Sequence, residues 1–160
     1  MAVWLEPIFD RTQADVEFAL QKIAEWSASG NSQGGYELKG CLNVSDINRI
    51  EGNIAYLAET LEKYQYGVNV KTREWSISDL PTEQDIARIV NNTCELLEAY
   101  YVPHGIPALP KEMLSYGEVN DVEQILSFIK EVLDSMIGSF KKCNTFRAGS
   151  KVILPTKRMG

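Results

Sequence analysis

"DINRIEGNIAYL" (residues 46–57) and "DIARIVNNTCEL" (residues 85–96) carry Asp, Ile, Arg, Ile, Asn and Leu at the same six places, 39 residues apart. Each string is periodic at three and four residues. In the first, Ile47, Ile50, Ile54, Leu57 and Leu61 fall within one narrow stripe at 100° per residue. In the second, the stripe is Ile86, Ile89, Val90, Leu96 and Tyr100. Asn43 or Ser45 can cap the first helix, with Asp46 in its opening turn. Thr82 and Asp85 repeat that arrangement behind Pro81.

The same template extends in both directions along the chain. Residues 12–26 place Val16, Ala19, Leu20, Ile23 and Trp26 on one face, opened by a Thr12/Asp15 capping pair. Residues 120–138 form a faded third copy through Asp121, Val122, Ile125, Ile129, Val132 and Met136, with Phe128 where the earlier copies have Asn. Its stripe is the broadest of the four, which predicts the most buried helix. Burying four amphipathic stripes against one another predicts a mainly α, single-domain bundle of about four helices. A minor extended or β element is expected at 68–78 and 150–154, from alternation and β-branched residues. The expected organisation is an N-terminal arm at 1–11, a helical bundle at 12–140 and a basic C-terminal arm at 141–160.

Composition narrows the function classes. At 160 residues the chain suits one domain. Its opening residues lack the basic and apolar regions of a signal peptide, and no run has the eighteen or so apolar residues of a membrane helix. Three scattered cysteines form neither a disulfide framework nor a zinc pattern. Lys141, Lys142, Arg147, Lys151, Lys157 and Arg158 stand in a stretch without acids, so the net charge of −6 divides into +6 there and −12 over the rest. A basic segment on an acidic body suits docking to an acidic neighbour, a second copy included. The acidic body and the lack of interleaved aromatics argue against nucleic acid.

No catalytic, metal or cofactor motif is present, and the lone His104 lies in a Pro-Gly loop. Glu51, Glu59, Glu62, Glu95 and Glu98 read as a solvated face. The notable polar groups are Arg49 with Asn53 and their echoes Arg88 with Asn92, each pair at i,i+4 on one helix flank. Their expected role is to fix helix register. The alternative is a polar cleft, around these four residues, in a small ligand-binding or hydrolytic bundle. Trp4 and Trp75, in extended segments, are candidate anchors for either the core or a docking partner.

"FDRTQADVEFALQKI" (9–23), "LNVSDINRIEGNIAYLAETL" (42–61), "REWSISDLPTEQDIARIVNNTCEL" (73–96) and "YGEVNDVEQIL" (116–126), taken in order, resemble a helical module of tail proteins. These are virion structural proteins of tailed phages and of prophages of Gram-positive bacteria, from the tail-tip, baseplate or fibre region. The similarity spans about residues 9–146 and centres on the pattern D-[IL]-x-R-I-x-x-N. It implies a non-enzymatic accessory or adaptor subunit of the virion tail, assembled in the host cytoplasm. The implied partners are other tail proteins and further copies in a symmetric assembly, with no cofactor and no membrane.

Overall fold

The computed structural model describes residues 2–30, 37–100, 104–113 and 115–142, with side chains to 139. Among these residues there are four helices, α1 (Gln13–Ser29), α2 (Val44–Lys63), α3 (Glu83–Ala99) and α4 (Tyr116–Lys142). The expected mainly α architecture holds. Each helix opens on a polar residue three positions before an acid. Thr12 accepts from the Asp15 N–H, and Thr82 from the Asp85 N–H. Asp46 accepts from the Asn43 N–H at 2.9 Å, and Glu118 from the Ser115 N–H at 2.8 Å. These bonds use up donors that a helix start otherwise leaves unpaired, and they put negative charge at the positive pole of the dipole.

α2, α3 and α4 pack against one another and supply most of the core. Ile50, Ile54, Leu57 and Leu61 of α2 are fully buried, as are Ile89 and Leu96 of α3 and Val122, Ile125, Leu126 and Leu133 of α4. The three run in the same direction. Arg49 near the start of α2 reaches Glu123 near the start of α4, and Arg88 near the start of α3 reaches Glu51. Beyond the opposite end, Tyr66 meets Tyr100 edge-on at 5.1 Å. Parallel helices need return connections, and these are extended segments lying in the grooves between helices. Residues 2–11 descend from Glu59 to Asp46 along α2 and α4. Residues 66–75 descend between α3 and α2.

α1 departs from its expected packing. Only Ala19 of its stripe is buried, while Leu20 is 62 % exposed and Ile23 and Phe18 are exposed as well. Its N-terminal turn rests on Gly40, where a Cβ would lie 2.1 Å from the Asp15 carbonyl oxygen, so that approach admits only glycine. The helix ends at Gly30 in the left-handed conformation at φ 66°.

The extended element expected at 68–78 is correct as far as residue 75, but no β-strand occurs among the described residues. Its backbone pairs with side chains instead of a second strand. The other half of that element, 150–154, lies outside the described residues. Residues 2–11 of the expected N-terminal arm lie along the bundle, bonded to α2 and α4. No described helix is long and apolar enough to cross a membrane.

Candidate functional site: two clamped grooves

A lone asparagine side chain carries one amide donor and one carbonyl acceptor, as a peptide group does. Placed beside an extended chain, it satisfies the N–H and C=O of one residue as a neighbouring strand would. Among the described residues the device occurs four times. Asn53 takes the Leu5 N–H at 2.9 Å and gives to the Leu5 C=O at 2.9 Å. Asn92 holds both backbone groups of Lys71, at 3.2 and 2.8 Å. Asn48 holds those of Trp75, at 2.8 and 2.9 Å. Asn120 holds those of Arg11, at 3.4 and 2.9 Å.

Carboxylates and guanidinia complete each groove. Glu123, fully buried, accepts from Arg49 Nε and Nη2 at 2.9 and 2.7 Å, from Arg11 Nη2 at 3.0 Å and from the Ile8 N–H at 2.6 Å. Asp46 joins the same cluster through Arg49 at 2.6 Å and Arg11 at 2.8 Å. Two cations and two anions thus meet in a buried, charge-balanced quartet, and Arg11 also donates to the Ile8 carbonyl. In the second groove, Glu51 accepts from Arg88 at 2.6 and 3.0 Å and from Trp75 Nε1 at 3.2 Å, while Arg88 also donates to the Lys71 carbonyl at 2.6 Å. Every buried side-chain polar atom among the described residues has a partner. Unpaired, such groups would cost several kcal/mol.

Protonation equilibria follow the contacts. Burial alone would raise the Asp46 carboxyl, but the Asn43 N–H, Arg49, the Asn43 side chain and Arg11 outweigh it and hold the group below the usual carboxylate range. Burial likewise opposes the charge on Arg49, and Glu123 with Asp46 outweighs it, so this guanidinium is held charged more firmly than usual. Arg88 is raised chiefly by its bond to Glu51.

The expected register role of Arg49, Asn53, Arg88 and Asn92 thus takes a specific form: they tie helix to arm and helix to helix. The polar-cleft alternative is not what these residues build. Arg49 and Asn53 belong to the α2/α4 groove, Arg88 and Asn92 to the α3/α2 groove, and Asn53 and Asn92 each hold a different arm. His104 is exposed and outside both grooves.

Several expectations need correction. Glu51 is 2 % exposed and ion-paired rather than part of a solvated face. Trp75 is 5 % exposed, with Arg73 stacked 3.9 Å from its ring, so it anchors the core and not a partner. Trp4 is half-buried against Tyr56 at 5.7 Å and under Lys130, which makes it an internal contact too. Of the basic candidates, Lys141 and Lys142 end α4 and their side chains are not described, while Arg147, Lys151, Lys157 and Arg158 lie outside the described residues.

The third copy also shifts register. Counting from the caps, Glu118 corresponds to Asp46 and Asp85, so Asn120 matches Asn48, Glu123 matches Glu51, and Ile125, not Phe128, stands where Asn53 and Asn92 stand. The signal missed in the sequence is therefore Asn-x-x-Glu, written as "NRIE" at 48–51 and "NDVE" at 120–123. It places two arm-holding side chains one turn apart.

No family model matches the chain, and neither a curated protein nor a solved structure matches it at significant similarity. Among the described residues, no cluster of His, Cys, Asp and Glu is arranged to hold a metal ion.

Proposed function

We propose that the chain is a structural component of the tail or baseplate region of a phage or prophage virion, an accessory or adaptor subunit that works through protein–protein contacts. The observation that carries this reading is the ordered recurrence of the D-[IL]-x-R-I-x-x-N phrase with "W…DLPT" between its copies, the pattern that resembles the helical tail module. Two features of the molecule support it. The buried polar groups of both grooves are spent on holding arms, which makes the repeat a scaffold. Large apolar side chains meanwhile stand on the outside, at Val3, Leu5 and Phe9 of the first arm and at Phe18, Leu20 and Ile23 of α1. An apolar helix face left on the surface is suited to a neighbouring subunit.

The basic segment 141–160 fits the same role. Glu62, Glu95 and Glu98 are exposed on the later turns of α2 and α3 and offer an acidic surface for such a segment from an adjacent copy. The test is proteomic and genetic. Tails purified from the encoding phage or induced prophage should contain the chain in multiple copies. Deleting residues 141–160 should leave the bundle folded and remove the chain from the particles. A chain absent from purified tails, with normal tails assembled in its absence, would overturn the proposal.

A further inference from the structure

The two clamped grooves define what the third lacks. Where α2 and α4 carry Asn48/Glu51 and Asn120/Glu123, α3 has Ala87 and Val90, and where α2 and α3 carry Asn53 and Asn92, α4 has Ile125. None of these side chains can bond a backbone. Segment 104–113, the third return connection, is held by apolar contacts at Leu109 and Met113. Beside Ala87, where the other grooves seat a clamped arm, a hollow of about 390 Å³ is open. Pro81, Ile86 and Ala87 line it, with Glu83, Lys111 and Glu112 at its rim.

The residue covalently joined to that lining is Leu80, which is 86 % exposed, as is Ile77. The turn displaying them is firmly built. Ser76 gives its N–H and its hydroxyl to Asp79 at 2.8 and 3.0 Å, the Asp79 N–H closes on the Ser76 carbonyl at 3.0 Å, and Arg73 approaches Asp79 at 3.5 Å. Leu80 is thus fixed in water next to the lining of a largely apolar hollow, with Ile77 exposed on the same turn.

We infer that this patch is a two-fold contact between copies of the chain. Leu80, with Ile77 beside it, enters the hollow over Ala87 of the second copy, and the second copy reciprocates. Because knob and hollow adjoin, one two-fold axis satisfies both and closes the assembly, as an isologous interface requires. The rim charges are complementary in the same way. Lys111 stands with Glu83 and Glu112 around the hollow, so the rim carries both signs. Each Lys111 therefore gains an acidic neighbour across the axis. The inference is independent of the tail reading, since self-association is a property of the chain alone.

Sedimentation velocity with light scattering on the full chain, over a wide concentration range, tests it. Leu80→Asp places a charge on the knob, Ala87→Arg fills the hollow, and Lys111→Glu reverses the rim. All three positions face solvent, and circular dichroism with a thermal melt verifies that each variant folds. The wild type should dimerise as concentration rises, with each variant weakening the dimer by about tenfold or more. A wild type that stays monomeric throughout, or a dimer left unchanged by any one of the three substitutions, overturns the inference.

Discussion

Replacing Glu123 by glutamine removes one charge from the buried quartet and leaves everything else in place. In the native protein that carboxylate accepts four hydrogen bonds, three of them from Arg49 and Arg11. Glutamine keeps one acceptor oxygen and turns an amide donor toward guanidinium donors. Two buried arginines then share Asp46 alone, so a positive charge is buried without compensation. Breaking a buried pair from one side costs about 3–5 kcal/mol, a large part of the 5–15 kcal/mol that typically holds a domain folded. At roughly 2–4 °C per kcal/mol for a chain of this size, the melting temperature should fall by about 6–20 °C. The control is Arg49→Met combined with Glu123→Met, which leaves Arg11 with Asp46 as a balanced pair. That double variant should be more stable than Glu123→Gln despite carrying the larger change. Urea unfolding followed by circular dichroism gives both values. A cost under about 1 kcal/mol for Glu123→Gln would refute the account of the quartet as a charge-balanced lock.

Three further outcomes follow from other contacts. Asp46 titrates below the usual range when folded, so its contribution is present above the unfolded carboxylate value near 4 and is lost as pH falls through the folded value; an acid titration of stability should steepen below about pH 4, and Asp46→Asn should flatten that limb. Trp75→Ala empties a buried aromatic site and strips the indole donor from Glu51 while leaving the backbone bonds to Asn48, so it should cost about 3–5 kcal/mol by denaturant melt, against little for an exposed anchor. Gly40→Ala drives a methyl into the Asp15 carbonyl, and hydrogen exchange should show α1 losing protection while α2, α3 and α4 keep theirs.

The parts of this fold legible in the sequence are those governed by local periodicity. Ile50, Ile54, Leu57 and Leu61 declare their face by spacing alone, and the Thr12/Asp15 and Thr82/Asp85 caps declare their helix starts. The same rule misjudges α1, because a stripe records capacity for burial and not the presence of a partner; Leu20 and Ile23 have the spacing without the cover. The site was only half legible for a different reason. Arg49, Asn53, Arg88 and Asn92 stand out through repetition, but their partners Leu5, Lys71 and Glu123 are distant in sequence and two of those contacts are with backbone, which leaves no side-chain signature. Glu51 resembles its exposed neighbours in composition, and only Arg88 and the Trp75 indole, brought in by the descending arm, make it internal. The parallel direction of the helices is likewise invisible in the periodic stripes. It lies in the connections, whose extended character at 68–75 is legible in the sequence but whose clamped course back along the helices is not.

The central claim is that the repeated phrase is a clamp, each asparagine holding its own extended segment. Amide hydrogen exchange resolved at Leu5 and Lys71 tests it most directly, in the wild type, Asn53→Ala and Asn92→Ala. Asn53→Ala should release the Leu5 amide and leave Lys71 protected, and Asn92→Ala should do the reverse. Protection lost at both positions together, or at neither, would contradict the claim.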